Sequence, residues 1–239
     1  MKIVINPTYE GLREWITQLP ENFATQGEVI YDARNQIRLM QAPDGTPVYV
    51  KRFHKPAFLN RIAYTCLRTP KALRAYTNAF RLQTEGIGTP APIAYILIYH
   101  HGLLAESYLI TACSPLKRNM YEFRHHPLNG YEYIVTAFAR FTAKLHDKGI
   151  LHCDYSPGNI LFDIRPDGTV DFELVDINRM RFNRPISPRE GCKNLCRLWG
   201  KEDFFVLLAQ EYAKARQMDI SQCIRWTLHY WKQFWRFRK

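Results

Sequence analysis

The sequence predicts an α+β protein of two lobes, a small β-rich one followed by a mainly helical one. Three observations point there. Short strand-like runs punctuated by turn residues fill most of the first 112 residues, a helical period dominates after Cys113, and 239 residues suit one large domain or two small lobes. With 46% hydrophobic and 23% charged residues the composition is that of an ordinary globular protein, which argues against disorder, collagen and coiled coil. The predicted lobes are residues 1–112, including a short N-terminal extension, and residues 113–239, with the boundary near Ala112–Leu116.

Each element has a local reason. Glu28–Asp32 and Gln36–Gln41 are short strand candidates, and the Pro43-Asp44-Gly45-Thr46 turn leads into the strand Val48-Tyr49-Val50-Lys51. A helix follows, with Thr69 as its cap, Pro70 at the first helical position and Gly86 as the left-handed stop. Leu73, Tyr76, Phe80 and Gln83 trace one face of it. Strands near Ile93–Tyr99 and Leu103–Thr111 form a hairpin about His101-Gly102. In the second lobe Ile134, Phe138, Phe141 and Leu145 make a buried stripe on a helix across Tyr131–His146, stopped at Lys148-Gly149. A strand pair, Asn159–Asp163 and Thr169–Asp176, is joined by a turn through Pro166-Asp167-Gly168, and the chain from Pro188 onward is helix-compatible and rich in aromatics.

The charge is less ordinary. Thirty-three Lys and Arg against 22 Asp and Glu leave a net +11, which favours phosphorylated ligands, acidic membrane surfaces or nucleic acid. The surplus is segregated into two acid-free blocks, eight basic residues from Lys51 to Thr84 and five from Cys223 to Lys239. The second block interleaves Trp226, Tyr230, Trp231, Phe234, Trp235 and Phe237 with its basic residues, as an interfacial helix does at anionic headgroups. The same aromatics would equally close the core of a helical lobe, since Trp226, Tyr230 and Phe234 share a face. No RNA-binding motif accompanies them, so nucleic acid is the least supported partner. Six cysteines without CxxC spacing read as free thiols of a reducing cytoplasm, and Met1–Trp15 is too charged for a signal peptide. The longest stretch lacking Lys, Arg, Asp and Glu, Gly86–Ala105, contains two prolines and reads as a hairpin rather than a membrane span. His100-His101 and His125-His126 read as turn residues.

The chemistry concentrates in His152-Cys153-Asp154-Tyr155-Ser156-Pro157-Gly158-Asn159-Ile160-Leu161. An Asp followed five residues later by an Asn places two oxygen-bearing groups at one mouth, and Asp176 stands at the far end of the following hairpin. Asn159 and Asp176 suit Mg²⁺, which takes few hard oxygen ligands together with phosphate and water oxygens. Asp154 is then free to accept a proton from a substrate hydroxyl. Lys51, ending its strand, offers a point charge to triphosphate oxygens. Each signal is weak alone; in this order and on these elements they are the components of phosphoryl transfer in the protein-kinase-like fold.

The string HCDYSPGNIL resembles the catalytic loop of the kinase superfamily in its HxDxxxxN form. With Lys51-Arg52-Phe53, the helix end Glu85-Gly86-Ile87-Gly88-Thr89-Pro90 and the strand Ser107–Thr111, the chain resembles the bacterial lipopolysaccharide kinase family over roughly residues 28–180. That family phosphorylates Kdo or heptose sugars of the inner core with ATP. The resemblance implies Asp154 as catalytic base, Asn159 and Asp176 as Mg²⁺ ligands, Lys51 as the ATP phosphate-binding lysine, and Ile110–Cys113 as the hinge taking the adenine. His152 would brace the loop, and Cys153 reads as packing. It further implies a lipid A-core glycolipid substrate and a cytoplasmic location, peripheral on the inner membrane. Three departures stand out: Asp176 is followed by Ile177-Asn178 instead of Phe-Gly, the Ala33-Arg34-Asn35 turn replaces a glycine-rich loop and leaves Arg34 or backbone for phosphate contacts, and Ala75-Tyr76 stands where the family's helix carries a Glu. Two other readings stay open, a small atypical Ser/Thr protein kinase and a pseudokinase scaffold.

Overall fold

The computed structural model describes residues 1–33, 35–54, 64–65, 68–125 and 128–236, so Arg34 and part of the first basic block lie outside the described residues. The described chain divides into two compact units, residues 1–84 with 89–114, and residues 85–88 with 115–239.

The first unit is built on a six-stranded antiparallel sheet. Its strands are β1 (Lys2–Ile5), β2 (Glu28–Asp32), β3 (Gln36–Gln41), β4 (Pro47–Phe53), β5 (Pro92–His100) and β6 (Leu103–Ala112), in the order β1-β5-β6-β4-β3-β2. The hairpin turns form where local chemistry demands. His101 and Gly102 both take positive φ, 51° and 76°, and Gly45 at 84° follows Asp44, whose Oδ1 accepts the Thr46 N–H at 2.9 Å. Side-chain alternation gives the sheet two faces. Val48 and Val50 of β4 point into a cluster with Ile16, Leu19 and Phe23 of α1 (Arg13–Asn22) and its end, while Phe53 joins Ala72 and Tyr76 of α2 (Lys71–Thr84) on the other face. Lys51, two residues before Phe53, therefore shares the α2 face.

Three features of this unit differ from the sequence expectation. The N-terminal residues are integral: β1 pairs with β5 from Lys2↔Leu97 to Ile5↔Ala94, and α1 covers the sheet. The α2 face is also rotated. Its buried residues are Ala72, Ala75, Tyr76, Asn78, Ala79 and Leu82, whereas Phe80 is exposed and its ring packs edge-on against Tyr76. Alanines let helix and sheet approach closely, and a reading weighted toward large side chains overlooks them. The helix starts at Lys71, with the Pro70 carbonyl accepting the first turn's bond from Arg74, so Pro70 takes the cap position expected of Thr69.

The second unit is mainly helical: α3 (Glu132–Asp147), α4 (Pro188–Asn194), α5 (Glu202–Ala215) and α6 (Ile220–Arg236). Two small sheets are inserted, β10-β9-β7 from Val170–Leu174, Ile160–Ile164 and Arg118–Asn119, and β11-β8 from Met180–Arg181 and Leu151–His152. Ile134, Phe138 and Leu145 of α3 are fully buried, and Phe141 stacks on Phe172 of β10 at 5.2 Å. The segment 85–88 belongs here because Gly88 lies flat on β10. Its carbonyl accepts the Leu174 N–H at 2.9 Å, and a Cβ on it would sit 2.2 Å from the Phe172 oxygen. The aromatic side of α6 turns inward: Trp231 stacks on Phe205 at 4.6 Å and Trp235 meets Trp199 at 5.7 Å, while Arg225, Lys232 and Arg236 are exposed. These contacts are those of the core-closing reading of that segment, with the Trp231 and Trp235 rings themselves half-buried.

Candidate active site

The loop between β8 and β9 is held by its own backbone and by one buried imidazole. The Asp154 N–H donates to His152 Nδ1 at 3.1 Å, which places the imidazole proton on Nε2, where it donates to the Val175 carbonyl at 3.1 Å. Burial holds the His152 pKa below its ordinary value, so the neutral tautomer persists and the ring links the Asp154 loop to the segment carrying Asp176. Asn159, on a 3₁₀ turn (Pro157–Asn159), donates Nδ2 to the Asp154 carbonyl at 2.9 Å, and its own carbonyl accepts the Val175 N–H at 3.0 Å. With Nδ2 so engaged, the Asn159 amide oxygen is turned to the other side.

Asp176 does not end a strand, contrary to expectation. β10 stops at Leu174, and Asp176 adopts the left-handed conformation at φ 54°, with Oδ1 accepting from Asn178 Nδ2 at 2.6 Å. For Asp, whose short polar side chain bonds locally, this conformation is tolerated. Among the described residues no group of three or more His, Cys, Asp or Glu side chains is placed to hold a metal. The Asn159 amide and Asp176 carboxylate are hard oxygen donors on segments tied to one another through Val175. That set fits Mg²⁺, which completes its shell with phosphate and water oxygens.

Beneath the loop runs a buried polar chain. Arg216 donates to the Tyr212 hydroxyl at 2.7 Å, Tyr212 donates to His146 Nδ1 at 2.7 Å, His146 Nε2–H donates to Asn194 Oδ1 at 3.2 Å, and Asn194 Nδ2 donates to the His152 carbonyl at 3.0 Å. Tyr155, fully buried one residue after Asp154, donates to Thr142 Oγ1 at 2.8 Å, which passes the bond to the Phe138 carbonyl. Cys153 is exposed, so it is not the packing residue the sequence suggested.

Sequence reasoning missed Arg197. It closes the 3₁₀ turn Leu195–Arg197 and pairs its guanidinium with Asp154 Oδ1, both side chains about one-third exposed at 36% and 30%. No motif spacing could have found it, since 43 residues separate the partners. Gly158 was likewise unexplained. A Cβ there would lie 2.6 Å from the Tyr121 ring, so the glycine lets Tyr121 close on the loop.

In the first unit, Lys51 pairs in the sheet with Ile37 and Leu109, and its ammonium sits 5.2 Å from the Phe53 ring centroid. Ala75, where the resemblance expects an acid, is buried at 2% exposure. Glu85 is no substitute, because it pairs with Lys148 at 2.9 Å inside the second unit. At the segment expected to take adenine, the Ala112 and Cys113 N–H groups already donate to the Ala91 and Pro47 carbonyls, so neither is an available donor.

The family is shown by comparison with family models. A model described as "Lipopolysaccharide kinase (Kdo/WaaP) family" matches residues 22–235. No curated protein matches the chain by sequence. Among solved structures the chain is similar to "WaaP in complex with acyl carrier protein", with TM-score 0.64 and 17% identity, covering 98% of this chain and 100% of that one. It also matches a Rio2 kinase–ADP/Mg²⁺-phosphoaspartate complex from Chaetomium thermophilum (TM-score 0.45, 14% identity, 96% of this chain and 62% of that one). A third is the MAP kinase LmaMPK10 from Leishmania major (0.43, 14%, 96% and 74%). The α+β fold is the one seen in that WaaP structure. With the family model spanning most of its length, the chain belongs to the lipopolysaccharide kinase (Kdo/WaaP) family and is a phosphotransferase of the lipopolysaccharide core.

Proposed function

We propose that the chain transfers the γ-phosphoryl group of ATP to a hydroxyl of Kdo or heptose in the inner core. Asp154 is the base that orients the hydroxyl and takes its proton as the new P–O bond forms and the bond to the ADP leaving group breaks. Asn159 and Asp176 hold Mg²⁺, which when bound neutralises phosphate charge. Lys51 binds ATP phosphate as a point charge. Residues 1–112 serve as the nucleotide lobe and 113–239 as the catalytic lobe. The observation that carries the reading is the bond circuit through His152, Asn159 and Val175, which fixes the Asp154 loop against the Asp176 segment while leaving the Asp154 carboxylate partly exposed. Such prior positioning is most of what phosphoryl transfer asks of a protein.

We also place the chain at the cytoplasmic face of the inner membrane, where its glycolipid resides. Among the described residues no helix is long and apolar enough to cross a membrane. The exposed Arg225 and Arg236 of α6 supply an electrostatic attraction worth about 1 kcal/mol per basic residue near an anionic surface. Asp154→Ala tests the catalytic assignment: phosphoryl transfer should be lost while ATP binding, measured by calorimetry, is retained. Residual turnover above about 10% of wild type would sink the base role. ATP binding without turnover on any core glycolipid by the wild type would favour the scaffold reading.

A further inference from the structure

The Asp154–Arg197 pair occupies one oxygen of the proposed base. Oδ1, one of the two carboxylate oxygens, accepts from the guanidinium and is closed to a substrate hydroxyl while it does. Both groups are partly exposed, so the pair is open to exchange with a ligand rather than locked in a core.

The surroundings of Arg197 show what that ligand would be. Its guanidinium stands 5.7 Å from the Phe234 ring centroid, and rings continue from there to Trp235 (5.3 Å), Trp199 (5.7 Å) and Tyr121 (4.8 Å). Tyr121 abuts Gly158, so the ladder returns to the loop it started from. Arg124 stacks on Trp199 at 4.0 Å. A guanidinium held beside a ring keeps its N–H edge for planar anions, which it binds bidentately. Partly exposed rings bordered by arginines suit a saccharide carrying acid groups. Nearby Arg181 already has Glu190 as partner.

Resting on the function proposed above, we propose that Arg197 is the receptor for an acidic group of the acceptor saccharide, and that its pair with Asp154 is the resting state which the acceptor exchanges. On binding, the acceptor's anion takes Arg197, Asp154 Oδ1 is released, and the hydroxyl donates to it. The base is thus unmasked only by a saccharide whose acid lies within a guanidinium's reach of the reacting hydroxyl. The anion is either the carboxylate of Kdo or a phosphate on a neighbouring unit.

The test uses the full chain with ATP and three acceptors: Kdo₂-lipid A, its Kdo methyl esters, and the same glycolipid stripped of its lipid A phosphates. Acceptor binding is measured by calorimetry beside kcat and KM. The wild type should favour the acid over whichever neutralised form removes the recognised anion by roughly tenfold to a hundredfold, mostly in KM, as expected for one charge-assisted contact. The ester arm identifies a carboxylate, and the dephosphorylated arm a phosphate. Arg197→Gln should bring that preference to within about twofold, and Arg197→Lys should restore part of it. Should Arg197→Gln fail to fold, the partial loss in Arg197→Lys carries the comparison. Activity lost with the preference intact would overturn the receptor role while leaving the proposed function standing. Binding that depends on Arg197 without phosphoryl transfer would support the receptor and refute the function. A wild type that binds no acceptor form, or binds all three alike, overturns the receptor role.

Discussion

Acid should loosen the second unit through His146. The imidazole is 1% exposed, and burial holds its pKa down to about 3 from an ordinary 6.5, with the Asn194 bond opposing but not cancelling the shift. A folded pKa below the unfolded one means the unfolded chain takes up the proton first. Stability is therefore full above about pH 6.5 and falls as the pH drops toward about 3. Between about pH 7.5 and about pH 5 the unfolded imidazole becomes almost wholly protonated while the folded one stays neutral, a loss of ~2 kcal/mol from this group. His152, also lowered by burial, acts with the same sign. Urea unfolding at both pH values, for wild type and His146→Gln, isolates the effect because the other titrating groups are common to both chains. The variant should lose ~2 kcal/mol less on acidification, though it starts lower at neutral pH for want of a complete bond to Tyr212 and Asn194. Equal losses would refute the assignment of a buried neutral imidazole.

Gly158→Ala forces a methyl against the Tyr121 ring and should cost about 1–2 kcal/mol in stability, with Tyr121→Ala relieving most of it in a double-mutant cycle; an undiminished cost would locate the strain elsewhere. Trp231→Ala, removing a ring stacked on Phe205, should cost about 2–3 kcal/mol by thermal denaturation without altering binding to anionic vesicles. Charge reversal at Arg225 and Arg236 should do the opposite, weakening vesicle binding in its salt-sensitive part while stability changes by less than about 1 kcal/mol; a stability loss without a binding change would refute the surface role.

The legible parts of the fold were those whose causes are local. The His101-Gly102 and Asp44-Gly45 turns formed as expected because turn chemistry lies within four residues, and the α3 helix runs Glu132–Asp147 against an expectation of Tyr131–His146 because a 3.6-residue apolar period needs no partner to be seen. β1 escaped notice because it becomes a strand only by pairing with β5, some ninety residues away. The α2 face was misjudged because its packing rests on alanines, whose contribution is closeness of approach.

At the site, the sequence by itself set the chemistry of the loop: an Asp and an Asn five residues apart, a histidine before them and a further Asp beyond. Tertiary structure alone decided which nitrogen of His152 bears its proton, where the α6 aromatics turn, and that Arg197 rests on Asp154. The physical reason is range. Residue type and short spacing determine turns, periods and donor sets, whereas an ion pair across 43 residues or a ring stacked between helices exists only once packing has brought distant surfaces together.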